Sequence, residues 1–382
     1  MELSIIIPAL NEEKTVAICV QKALKSIQDL HVDGEVIVAD NGSEDSTAAI
    51  AKNLGAKVIS VSTKGYGFAC IEGLKAASGK YLIMADADDS YNFEEIEHFF
   101  AKLKEGYELV VGNRFKGKIA KGAMPLIHRY FGTPALTWLL NLFFHINIGD
   151  INCGMRAMTK KAFEEMLLMT GGMEFATEML IKASLRKLKI GEVPCNLYAD
   201  KRGASSHLNT WVDGWKHLRF MLLFSPSWVF LFPGLLLSFI GLLGMIILTL
   251  RDLISPSMIW FIDQKHIISC MLLLICGYQI VQFGISAHLF SYSKYFDYKN
   301  RVSNYIISHF KLEKGIMIGL LLFFIGVGIF GYLLISCFSH LLPHLNNFLR
   351  FDLAIFGVTF VVFGMQTAFA SFLLSTFFIK IK

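Results

Sequence analysis

Four stretches of this 382-residue chain, residues 229–250, 267–290, 316–338 and 353–379, contain no Asp, Glu, Lys or Arg. The shortest has 22 residues; at about 1.5 Å rise per residue it reaches about 33 Å, enough for a hydrocarbon core about 30 Å thick. The chain therefore divides. Residues 227–382 read as a membrane domain of four transmembrane helices, and residues 1–226 are polar enough, and long enough, for a soluble α/β portion with one core. The 54% hydrophobic composition, high for a soluble protein, comes from the second part.

An even number of spans puts both termini on one side. Lys294, Lys299, Arg301, Lys311 and Lys314 lie between the second and third spans, and Lys380 and Lys382 follow the fourth; the other two connections hold only Arg251, Lys265 and Arg350. Basic residues mark the cytoplasmic side, so the soluble portion and both termini are expected in the cytoplasm of a cytoplasmic (inner) membrane. The N-terminus reads as no signal peptide, because its short apolar run ends at Asn11, Glu12 and Glu13. The seven cysteines show no CxxC pair and no Cys/His ligand spacing, which predicts free thiols. A net charge of +5 suits anionic lipid heads rather than nucleic acid.

The soluble portion alternates short apolar runs (3–7, 36–39, 57–61, 81–85, 109–111) with helical patterns (13–26, 44–53, 68–77, 93–104). That alternation predicts a parallel sheet with helices on both faces, and ligands bind beyond the carboxyl ends of such strands. Three of those ends are acidic: Asn11-Glu12-Glu13, Asp40 through Thr47, and Asp86-Ala87-Asp88-Asp89. Ser43 and Asp45 read equally well as helix caps. Asp86 and Asp88 follow a fully apolar strand, where adjacent carboxylates repel unless a cation sits between them. One or two carboxylates completed by substrate phosphates is the Mg²⁺ pattern.

Together, Ile7-Pro8-x-x-Asn11-Glu12, Asp40-x-Gly42-Ser43-x-Asp45-x-Thr47 and Asp86-x-Asp88 resemble the family 2 glycosyltransferases with a GT-A (Rossmann-like) fold. Gly112-Asn113-Arg114, Asp150-x-x-Cys153-Gly154-Met155-Arg156 and Tyr198-x-x-x-Arg202-Gly203-x-Ser205 are similar to the polyprenyl-phosphate branch, with its dolichol-phosphate mannose synthases and undecaprenyl-phosphate glucosyltransferases. The resemblance implies a catalytic domain at 1–208, an interfacial amphipathic helix at 209–226, and a nucleotide-sugar held by Pro8, Leu10, Glu12, Asp40, Asp86, Arg202 and Ser205. It implies Mg²⁺ or Mn²⁺ on Asp88 and Ser90, with Asp89 as a further ligand, and a lipid phosphate held by Arg114 and Arg129. Asp86, Asp88 and Arg202 carry the catalytic role. Three positions depart from the pattern: Leu10 stands for a common Tyr, Ser90 for Gln and His207 for Lys.

Between Leu109 and Gly149 there is no Asp or Glu, while Arg114, Lys116, Lys118, Lys121, His128 and Arg129 lie in that window. The basic cluster runs into an apolar, aromatic segment, 130–146. A second such segment, 211–224, sets Trp211, Trp215, Leu218, Met221 and Leu222 against Lys216, His217 and Arg219. Both patterns fit interfacial anchors; the bland alternative for the first is a solvated basic loop. Asp150, Glu174 and Glu178 are candidates for a general base or for structural acids. Gly65-Tyr66-Gly67 reads as a loop-to-helix turn more readily than as a phosphate cradle.

The expected reaction is inverting transfer of a hexose, glucose from UDP-glucose first and mannose from GDP-mannose second, to a polyprenyl phosphate. Alternatives are a processive polysaccharide synthase, whose Gln-x-x-Arg-Trp motif has no counterpart in a chain lacking Gln between Gln28 and Gln264, and a transporter or scaffold with a vestigial transferase domain. Homo-oligomerisation is left open.

Overall fold

The computed structural model describes residues 1–201, 210–254, 265–295, 312–338 and 347–376. It forms two compact units, Met1–Phe224 and Ser225–Lys382.

The first unit is built on a seven-stranded sheet of β1 (Leu3–Ala9), β2 (Gly34–Asp40), β3 (Lys57–Ser60), β4 (Tyr81–Met84), β5 (Leu109–Asn113), β6 (Arg156–Thr159) and β7 (Ile190–Pro194), in the order β3-β2-β1-β4-β6-β5-β7. β1 and β4 are buried along their whole length, so their unbroken apolar runs fit central strands covered on both faces. Helix α1 (Val16–Asp29) buries Val16, Cys19, Val20, Ala23 and Ile27, the three-and-four spacing of one helical face.

The expected parallel sheet is corrected to a mixed one. β6 runs antiparallel to both β4 and β5, and β7 adds a parallel strand beyond β5. β6 has four residues, too few for a period-two pattern to declare itself. Its reversal has a functional consequence. Arg156 pairs with Met84 and with Val111, so the loop entering β6, residues 150–155, arrives at the carboxyl ends of β4 and β5. The sequence motif from Asp150 to Arg156 thereby joins the acidic edge.

In the second unit, four helices are long and apolar enough to cross a membrane, over Ser227–Leu250, His266–Phe290, Leu312–Ser336 and Leu349–Thr376. The last pack through small residues: Gly319 lies against Gly364 and Ala368, and Gly326 against Gly357 and Val361. That close approach is how helices associate where lipid removes the hydrophobic drive. Tyr278 and Thr367 share a 2.6 Å hydrogen bond, and Gln366 Nε2 donates to Gln279 Oε1 at 2.5 Å. The fourth span begins earlier than the uncharged run suggests. Helix Asn347–Thr376 includes Arg350 and a buried Asp352 in its opening turns.

Candidate active site

The carboxyl ends of β1 and β2 are stitched together. Ala9 pairs with Asp40 in register. Beyond that pair, Asn11 N donates to Ser43 Oγ (2.9 Å), Glu44 N to Asn11 Oδ1 (2.8 Å), Glu13 N to Asp45 Oδ2 (3.1 Å) and Glu12 N to Thr47 Oγ1 (2.8 Å). Ser43 and Asp45 therefore tie the two loops together and are not the helix caps expected of them: the N-cap of the helix that follows, Thr47–Asn53, is Ser46. The zipper also delays α1, which starts at Val16 rather than Glu13. Pro8, Leu10, Glu12 and Asp40 gather on this edge. Glu12 and Asp40 are buried, while the Leu10 side chain is exposed.

The second acidic end follows β4. Asp86 Oδ1 accepts a hydrogen bond from the Tyr66 phenol at 2.9 Å. Asp88 Oδ1 accepts from Ser90 N at 3.0 Å, and the Asp88 carbonyl from Lys201 N at 3.3 Å. Asp89, expected as a further metal ligand, is engaged by lysines in this structure. Its backbone is left-handed (φ 58°), and its oxygens are taken by Lys22 (2.6 Å) and Lys201 (2.7 Å). Among the described residues no three His, Cys, Asp or Glu side chains converge as a metal cage. A divalent ion would thus fit on Asp88, beside Ser90, with phosphate oxygens from a substrate completing the set. Arg202, Ser205 and His207 lie outside the described residues.

The basic window is less free than its composition suggests. Arg114, expected at the lipid phosphate, is buried and gives Nε and Nη2 to Asp150 at 2.6 and 2.8 Å. That pairing commits the Asp150 carboxylate to a buried ion pair and leaves Arg114 the two Nη1 hydrogens and one on Nη2 beyond it. Lys116 is bound to Glu192 at 2.7 Å. Glu178, buried, accepts from Met169 N, Thr170 N and Thr170 Oγ1 and pairs with Lys182, which makes it structural. Glu174 differs: its Oε2 is buried without a hydrogen-bond partner among the described residues. Arg129, the other residue expected at the lipid phosphate, lies nearer solvent. It is half-exposed in a π-helical turn, His128–Gly132, with its guanidinium 5.6 Å from the Tyr130 ring. Beside it, burial and the charge of Arg114 push the His128 imidazole below its ordinary pKa.

Three residues at this edge receive no individual role in the sequence reading. Tyr66 touches Asp86, and Tyr91 Oη accepts from Gly154 N at 2.9 Å. Arg156 is buried and donates to the carbonyls of Cys153 and Ile151, at 2.9 and 2.5 Å, and to that of Ala176. It fixes the loop entering β6 against helix α7 (Phe175–Leu185). The glycine of Cys-Gly-Met-Arg was a usable signal, since a Cβ on Gly154 would overlap Asp86 Oδ2.

Helix α8 (Thr210–Leu223) turns its faces differently from the expectation. His217 is buried and shares a 2.6 Å hydrogen bond with Thr177, whereas Trp211 and Trp215 are 76% and 58% exposed. Helix α5 (Thr133–Phe144), which packs on α8, likewise exposes Trp138; Tyr130 and Phe131 just before it are exposed too. Exposed aromatics thus lie on two adjoining helices, a pattern that fits an interfacial surface.

Comparison with known proteins identifies the parts. Residues 4–167 match the family described as glycosyl transferase family 2, and residues 285–377 match the glycosyltransferase family 2 C-terminal transmembrane region. The low-salt glycan biosynthesis hexosyltransferase Agl6 of Haloferax volcanii is 32% identical over 378 residues, 98% of this chain and 88% of that protein. The dolichyl-phosphate hexose transferase of the same organism is 31% identical over 196 residues, 50% of this chain and 81% of its own. A glucosyl-3-phosphoglycerate synthase from Mycobacterium tuberculosis, solved with Mn²⁺, UDP and its product, aligns with 59% of this chain and 80% of its own at 24% identity and a TM-score of 0.46.

Proposed function

The chain belongs to glycosyltransferase family 2, and from that premise we propose that it moves a hexose from a nucleotide-sugar to the phosphate of a polyprenyl phosphate. It is an integral membrane protein, and we place its first unit in the cytoplasm on the distribution of basic residues between spans. The observation that carries the reading is the meeting of Asp40, Asp86 and Asp88 at the carboxyl edge of one sheet, with β6 bringing the Asp150–Arg156 loop to the same edge. The similarity to a dolichyl-phosphate hexose transferase favours the lipid acceptor. UDP-glucose is the first donor to test and GDP-mannose the second.

In this reading Pro8, Leu10, Glu12 and Asp40 wall the nucleoside and Asp86 contacts the nucleotide-sugar. Asp88 holds Mg²⁺ or Mn²⁺, with Ser90 close by through its backbone. A bound divalent ion supplies Lewis-acid neutralisation of the diphosphate leaving group. Arg202 and Ser205 are carried to the pyrophosphate by the sequence resemblance alone. Arg129 meets the acceptor phosphate, where a guanidinium matches two oxygens and stays charged. Arg114 adds charge through Nη1 while its pair with Asp150 holds the loop.

The acceptor chemistry suits what the acids here do. A phosphate monoester is anionic at pH 7, so its oxygen attacks the anomeric carbon without a base, the C1–O bond to the nucleoside diphosphate breaks, and the centre inverts. What the protein must supply is in-line placement. That Asp150 and Glu178 are committed to ion pairs and backbone amides is then no defect. The aromatic face of α5 and α8 rests on lipid, where such an acceptor resides. Purified protein incubated with a labelled nucleotide-sugar and Mg²⁺ should place label in organic-extractable lipid only when polyprenyl phosphate is added. Label in water-soluble or polymeric product, with none in lipid, contradicts the reading.

A further inference from the structure

Gly65-Tyr66-Gly67, weak as a phosphate cradle in the sequence, has a different place in the structure. Tyr66 opens helix α3 (Tyr66–Ala76), and its backbone is gripped from two directions. On one side Gly65 N donates to Asn41 Oδ1 at 2.7 Å, and Asn41 Nδ2 donates to the Thr63 carbonyl at 2.8 Å, tying the turn to the end of β2. On the other side Gly67 N donates to the Gly171 carbonyl at 2.9 Å. Contact there is so close that a Cβ on Gly65 would overlap Gly171 O and one on Gly67 would overlap Thr170 O. The Tyr66 ring meets Phe175 edge-on, centroids 6.4 Å apart and planes 77° apart.

A phenol fixed in this way ends at Asp86 Oδ1, 2.9 Å away. The other carboxylate oxygen, Oδ2, lies against Gly154, whose amide is held by Tyr91. Asp86 is thus bracketed: a rigid donor on one oxygen and a glycine backbone on the other.

We propose that Tyr66 is a positioning residue that fixes the rotamer of Asp86 for the nucleotide-sugar, and that the paired glycines exist to hold Tyr66 in register. The inference rests on the function proposed above. Tyr66 does not reach the lipid acceptor in this scheme, so its contribution is confined to the donor side.

The test is a double-mutant cycle on the full-length protein in detergent, read by calorimetric titration with UDP, and with GDP, in the presence of Mn²⁺, and by steady-state kinetics. Tyr66→Phe keeps the ring and its contact with Phe175. It should weaken nucleotide binding and raise the donor KM by about three- to tenfold, the worth of one hydrogen bond, leaving the lipid KM and the melting temperature unchanged. Against an Asp86→Ala background the same substitution should add almost nothing, because the partner is already gone. Equal losses in both backgrounds, a parallel rise in the lipid KM, or wild-type donor binding by Tyr66→Phe would each overturn the assignment. Wild-type protein that binds neither UDP nor GDP would overturn the proposed function itself, a result distinct from normal wild-type binding with an indifferent Tyr66→Phe.

Discussion

Arg114 and Asp150 are joined by two side-chain hydrogen bonds, Nε to Oδ2 at 2.6 Å and Nη2 to Oδ1 at 2.8 Å, and Arg114 N adds a third to Oδ2 at 3.2 Å. Asp150 is fully buried and Arg114 nearly so. Removing one partner strands a buried charge, which costs about 3–5 kcal/mol. Arg114→Ala and Asp150→Asn should each lower the melting temperature of purified protein markedly, and Arg114→Lys should do so as well, since an ammonium cannot reproduce the fork. Melting curves that match wild type would show that the pair carries no structural weight.

Arg129 should behave oppositely. It is half-exposed, with its guanidinium 5.6 Å from the Tyr130 ring, so Arg129→Ala is expected to melt like wild type. A charged hydrogen bond is worth about 1.5–3 kcal/mol, so the KM for polyprenyl phosphate should rise roughly ten- to a hundredfold with the donor KM steady. Steady-state kinetics varying each substrate separately decides the matter; a donor-side effect would move Arg129 out of the acceptor site.

Adjacent aspartates after β4 should separate cleanly. Asp88→Asn is expected to abolish turnover in a folded protein, and EDTA should do the same reversibly. Asp89, bound by Lys22 and Lys201, should instead cost stability when changed to Asn, about 1.5–3 kcal/mol for weakening the charged hydrogen bonds of a buried carboxylate. Its activity should still respond to Mn²⁺ with the wild-type midpoint. A shifted Mn²⁺ midpoint in Asp89→Asn would return that residue to the metal site.

His217 gives a pH signature. Burial lowers its pKa from 6.5 to about 4, so the unfolded chain binds the proton more readily than the folded one. Stability from this group is complete above pH 6.5 and is lost as pH falls toward 4, by about 2 kcal/mol at pH 5. Thermal melts between pH 7 and pH 5 should show this slope, and His217→Asn, which cannot titrate, should flatten it. An unchanged slope in that variant would contradict the burial.

What the sequence exposed and what it hid follow from range. Asp86 and Asp88 were legible because a fully apolar strand ends on two carboxylates, a local pattern with a local cost. The four spans were legible for the same reason. Arg114 and Asp150 are 36 residues apart, and nothing near either names the other, so a paired guanidinium looked like an available one. β6 was hidden because four residues cannot show a period and because its direction is decided by β4 and β5. His217 was misread because an amphipathic pattern assumes polar residues face water, whereas Thr177 satisfies this one inside. Tyr66 was hidden because its hydroxyl matters only through Asp86, 20 residues on.

The central claim is the acceptor. Purified protein given UDP-glucose or GDP-mannose, Mn²⁺ and, in parallel, a polyprenyl phosphate or the corresponding polyprenyl alcohol, followed by mass spectrometry of the lipid, tests it most directly. The account predicts one hexose added to the phosphate lipid with release of the nucleoside diphosphate, and none added to the alcohol, because the account assigns no general base and Asp150 and Glu178 are committed to ion pairs. Hexose on the alcohol, or on neither lipid while the nucleotide-sugar is consumed, would contradict the account.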